Sequence, residues 1–98
     1  MNTLQDVRDA IDAIDAQIVE LLGARQQLVL RAAAFKRNAE EVRALDRRVR
    51  MMARLNELAV QHDVDPEVVE RIYTTMIDRF IEIEQLRHEA LVAADPES

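Results

Sequence analysis

Ninety-eight residues suit one helical domain, residues 1–98, small enough to gain stability by oligomerising. A net charge of −6 argues against a general nucleic-acid binder, which needs a basic surface. With 49% hydrophobic and 33% charged residues the chain is not disordered, and the lack of cysteine removes disulfides, thiolate metal sites and a thiol nucleophile. One glycine, two prolines and little alternation of β-branched residues point to an all-α fold. The segment MNTLQDVRD has no secretory pattern, and no apolar run approaches the roughly 20 residues of a membrane span. A cytoplasmic protein with no membrane and no nucleic-acid partner is expected.

The first predicted helix runs from about residue 4 to about 37. Asn2 or Thr3 can cap it, and Asn2 with Gln5 resembles a capping box. Its apolar residues alternate in steps of three and four: Leu4, Val7, Ile11, Ile14, Ile18 and Leu21. The next place in phase holds Arg25, after which Leu28, Ala32 and Phe35 resume the series. Gly23 is the weak point and could end a shorter helix, but the apolar phase crosses it without a slip, which favours one long helix. At about 34 residues it would span about 50 Å, more than a lone small domain needs, so a second chain is expected against it.

Residues 38 to 42 read as a loop. A second helix is predicted over about 43 to 61, with Leu45, Val49, Met52, Leu55 and Ala59 facing inward. Arg43, Arg47, Arg48 and Arg50 crowd its start, an unfavourable place for cations on a helix dipole. They either have work there or pair with Asp46, Glu40 or Glu41. Asp65-Pro66-Glu67 is a clear start signal for a third helix, with an N-cap, a proline at the first position and an acidic first turn. This helix is predicted to about residue 92, with Val69, Ile72, Tyr73, Met76, Phe80 and Ile83 as its stripe and residues 93 to 98 frayed.

Two features suggest a site. Arg25, Val29, Ala32 and Lys36 share one helical face, with the cations about 16 Å apart and alanines between them. This is either a trough for a compact molecule with more than one anionic group, or an Arg25 paired with an acid and a Lys36 snorkelling to water. Glu84 lies beside the apolar stripe of the third helix. It is either an exposed edge residue or an enclosed carboxyl, which burial would favour as the hydrogen-bond-donating acid and a nearby Lys36 as the carboxylate. His62 and His88 lack metal-ligand spacing, the only serine is Ser98, and no glycine-rich phosphate loop is present. No metal and no cofactor are expected; an enzyme built this way would work by shape and charge.

The segment VRDAIDAIDAQIVELLGARQQLVLRAAAFK resembles the first helix of the AroQ-type, all-helical chorismate mutases, through Arg8, Ile11-Asp12, Ile14-Asp15, Leu21-Leu22, Arg25 and Lys36. VRALDRRVRMMARL is similar to that family's second helix, with Arg47 at the position of its arginine, and DPEVVERIYTTMIDRFIEIEQ to its third. The resemblance implies three helices in an intertwined homodimer, with Arg8 reaching the partner's site and Arg25, Lys36, Arg47 and Glu84 coming from one chain. It implies the rearrangement of chorismate to prephenate in the shikimate route to aromatic amino acids. Arg8, Arg25 and Arg47 would hold the two carboxylates of this small dicarboxylate substrate, Lys36 would donate to the breaking ether oxygen or a neighbouring carboxylate oxygen, and Glu84 stands at the position of the second donor to that ether oxygen.

The chain departs from the family at four places. Glu84 stands where many members carry glutamine, and it donates only when protonated, which favours acidic pH. Ala44 and Arg48 stand where mutases carry acids that bind the ring hydroxyl. The branch that cleaves isochorismate to salicylate and pyruvate also lacks them, and its A-x-E-R-V pattern resembles the segment from Ala44 to Val49 with one change of spacing. Phe80 replaces a frequent small polar residue. Chorismate mutase is the leading expectation, with isochorismate-pyruvate lyase or aminodeoxychorismate mutase behind it. A non-catalytic helical dimer with a binding or regulatory role is a further alternative.

Overall fold

Thr3 opens the first helix, α1 (Leu4–Ala33), by accepting a hydrogen bond from the Asp6 amide at 3.0 Å while Asp6 accepts from the Thr3 amide at 3.2 Å. This reciprocal capping box satisfies two otherwise orphan donors, and it is Thr3 with Asp6 rather than Asn2 with Gln5. The computed structural model describes residues 2–95. After α1 come α2 (Ala39–Arg43), α3 (Leu45–Gln61) and α4 (Pro66–Ala94), and there is no strand among the described residues. Gly23 lies inside α1 without breaking it. No helix is long and apolar enough to cross a membrane.

Three boundaries differ from the sequence-based expectation. Helix α1 stops at Ala33 instead of continuing to about 37. Ala34, Phe35 and Lys36 then donate to the carbonyls of Arg31, Ala32 and Ala33, a tightened three-residue turn in place of a further α turn. The expected loop at 38 to 42 is the short helix α2. The Asn38 side chain caps it by accepting from the Glu41 amide at 2.9 Å, and Glu40 and Glu41 occupy the first turn, where the dipole favours acids. The second predicted helix begins, as α3, at Leu45 rather than about 43, because Ala44 has φ 45° and ψ 55° and breaks the chain direction between α2 and α3. A left-handed conformation costs a non-glycine residue about 1–2 kcal/mol. The break also resolves part of the arginine crowding, since Arg43 falls in the last turn of α2, where a cation suits the dipole.

The start of α4 follows the sequence signal: Asp65 accepts from the Glu67 amide at 2.9 Å and Pro66 takes the first helical position. The helix ends at Ala94; of the residues expected to fray, Pro96, Glu97 and Ser98 lie outside the described residues. Helix α4 is the common packing partner of α1, α2 and α3.

The chain by itself has little core. Its buried apolar residues are Ala33, Val42, Ala59 and Ile77, and the α1 series that predicts an inward face is exposed from Leu4 to Leu21. Leu45 and Val49, expected to face inward from α3, are exposed as well, as is Ile72 of the α4 stripe. The molecule measures 64 × 25 × 15 Å with a radius of gyration of 17.4 Å. A compact chain of this length would have a radius of about 13 Å.

Candidate active site

One stripe of α4 organises the site. Ile77, Phe80, Glu84 and His88 follow one another by three or four residues and so lie along one face of the helix. Opposite them stand the C-terminal half of α1, the turn after it, and the first turns of α3. Between these elements is a cavity of about 310 Å³, near the lower end of the range for small-molecule sites. Arg25, Lys36, Arg47 and Glu84, four of the five residues singled out in the sequence, line it together. Arg8 does not; it is exposed near the far end of α1.

Among the described residues Arg25 meets no carboxylate. Its guanidinium lies over the Phe80 ring, 5.1 Å from the centroid, and Nη2 approaches the Met51 sulfur, a weak acceptor, at 4.0 Å. Nη1 is buried and has no acceptor among the described residues. Leaving such a donor unsatisfied costs roughly 1–3 kcal/mol, more when it is charged, so an acceptor entering the cavity would recover that energy. Of the two sequence readings for Arg25, pairing with an acid is not what the fold does. Phe80 acts as the platform beneath the guanidinium, a function that no small polar side chain could supply.

Lys36 is placed by the tight turn, not by a continuing helix. Its Nζ donates to the Glu41 carbonyl at 3.0 Å and stands 3.2 Å from Glu84 Oε1. The second approach is a charge contact without hydrogen-bond geometry, so Oε1 lacks a hydrogen-bond donor among the described residues. Glu84 is 6% exposed, which settles its alternatives: it is enclosed and faces the cavity. Next to this contact, the Arg37 amide and guanidinium both donate to the Glu41 carboxyl and hold it below the usual carboxylate range. The sign follows: this contact favours the fold above the ordinary glutamate range and is lost as pH falls through the depressed value.

Arg43, Ala44, Arg47 and Arg48 also line the cavity. Arg48 does not pair with Asp46, Glu40 or Glu41 as the sequence allowed. Its Nη1 crosses to α4 and meets Asp78 at 2.8 Å. Five cationic side chains therefore line the cavity against one acid, Glu84, in a chain of net charge −6. Such a local inversion suits a compact ligand with two anionic groups. His88, which the sequence assigned no role, places Nε2 2.6 Å from the Lys36 carbonyl oxygen. Its only sequence signal was its spacing of four from Glu84.

The family model for type II chorismate mutase matches residues 7–85. The chain is 33% identical over 85 residues to an isochorismate pyruvate lyase of Pseudomonas aeruginosa, covering 87% of this chain and 83% of that one. It is 30% identical over 81 residues to a bifunctional chorismate mutase/prephenate dehydratase of Buchnera aphidicola, covering 82% of this chain but only 21% of that longer protein.

Proposed function

The chain belongs to the type II chorismate mutase family of enzymes, and on that premise we propose that it is a chorismate mutase. The observation that carries the reading is Arg25 Nη1, a buried cationic donor without an acceptor, in a cavity that also holds Lys36, Arg47 and Glu84. The reaction is unimolecular: the ether C–O bond breaks as a C–C bond forms, and no atom is gained or lost. Arg25 and Arg47 hold substrate carboxylates and enforce the compact reactive conformer. Lys36 donates to the ether oxygen as negative charge grows there, and Glu84 beside it, in its acid form, is the second donor. Arg8 comes from a second copy of the chain. The exposed apolar face of α1 supports that dimer, because a lone chain leaves Ile11, Ile14, Ile18 and Leu21 in water.

A second reading, cleavage of isochorismate to salicylate and pyruvate, is favoured by one specific observation. Ala44 and Arg48 line the cavity without supplying an acid to receive a ring hydroxyl, and Arg48 is committed to Asp78. The amino analogue of chorismate fits less well, since its ammonium group would meet five cationic side chains and a Glu84 already beside Lys36. Incubating the purified protein with chorismate and with isochorismate, while following loss of each substrate, decides between the readings. Turnover of chorismate to prephenate is expected; turnover of isochorismate alone would replace the first reading with the second.

Glu84 provides an internal check. A carboxyl donates only as the acid, whereas Glu84→Gln supplies a permanent donor of the same size. This variant is expected to turn over chorismate at least as fast as wild type. A clearly slower variant would show that Glu84 is not a hydrogen-bond donor to the substrate.

A further inference from the structure

Lys36 has a positional problem that the fold must solve. It lies three residues beyond the end of α1, in a turn whose preceding residue, Phe35, is 85% exposed and anchors nothing. Helical geometry therefore does not set the direction of its side chain. Its own amide bond to Ala33, at 3.3 Å, is long. The closest polar contact made by this residue is at its carbonyl, where His88 Nε2 approaches to 2.6 Å across 52 residues of sequence. Four residues earlier on the same α4 face, Glu84 Oε1 faces Lys36 Nζ at 3.2 Å. One turn of α4 thus grips Lys36 at both ends, the main chain through His88 and the ammonium through Glu84.

We propose that His88 is a positioning residue for Lys36, holding the turn after α1 against α4 so that the ammonium is aimed into the cavity. This rests on the proposed function only in taking Lys36 to act on the substrate. A carbonyl oxygen can only accept, so Nε2 carries a proton, and neutral His88 is the Nε2–H tautomer. A glutamine amide can reach the position of Nε2, whereas alanine leaves the Lys36 carbonyl unclaimed. Releasing the turn lets the ammonium wander by an ångström or so, and misplacement on that scale costs up to about 100-fold in rate.

The test compares His88→Ala, His88→Gln and wild type in the full chain. His88→Ala is expected to lower kcat about 10- to 100-fold while KM stays within about 3-fold, and His88→Gln to recover most of the loss. The proposal is overturned by wild-type kcat in His88→Ala, by a His88→Gln variant as slow as His88→Ala with both melting at the wild-type temperature, or by a rate loss that only tracks a fall in folded fraction. A second arm does not depend on turnover. Nitrogen-15 resonances of the histidine rings in the labelled wild-type protein are expected to show a proton on His88 Nε2; a ring protonated at Nδ1 alone overturns the contact. If neither chorismate nor isochorismate is consumed by wild type, the proposed function fails, and this arm alone decides for or against the His88 anchor.

Discussion

Lys36→Ala is expected to lower kcat by about 10²–10³-fold, the scale for losing one donor to a developing oxyanion, or about 3–4 kcal/mol of transition-state stabilisation. The substitution also leaves the Glu84 carboxyl, 6% exposed, without its cation. Removing one partner of an enclosed pair destabilises by about 3–5 kcal/mol when both are buried. The Lys36 side chain is 24% exposed, so solvent screening brings the expected cost to roughly 2 kcal/mol. The two effects separate in a double variant. Lys36→Ala with Glu84→Gln removes the lone carboxylate and is expected to regain much of the melting temperature without regaining the rate. Recovery of rate together with stability would mean that Lys36 acts through the fold alone.

Arg8→Ala and Arg25→Ala are each expected to be nearly inactive, yet an equal mixture allowed to exchange subunits is expected to regain about a quarter of wild-type activity. Seventeen residues separate the two arginines, about 25 Å along α1 and about 100° around it, so one chain cannot bring both to one cavity. Arg25 lines the cavity and Arg8 does not. In a two-fold dimer where Arg8 reaches across, half of the randomly mixed dimers are mixed, and each has one intact site and one lacking both arginines. The exposed stripe on α1 and the elongated 64 Å molecule are what such an assembly would cover and extend. No recovery on mixing, with exchange verified by mass labelling, would place Arg8 outside the site.

Much of this was legible in the residues because it is written in local periodicity. Arg25 stands out as a cation in a series that otherwise runs from Leu4 to Phe35, and Asp65-Pro66 marks a helix start whose capping needs no distant partner. The short helix α2 was also within reach. Asn38 followed three residues later by Glu41 is a cap signal, overlooked because no apolar period accompanies five residues.

By itself, then, the sequence determined an all-α chain, a long first helix uninterrupted at Gly23, and a resemblance to the type II chorismate mutase family. The first two follow from spacing along a helix, which neighbours three and four residues apart specify, and the third from motifs matched segment by segment. Tertiary structure alone decided what each side chain of the site meets. That Phe80 rather than an acid lies under Arg25, that Arg48 crosses to Asp78 and that His88 holds the Lys36 carbonyl all depend on where α4 lies against the rest. Those pairings join residues 30 to 55 positions apart, and no local rule about capping, period or charge carries information across such a gap.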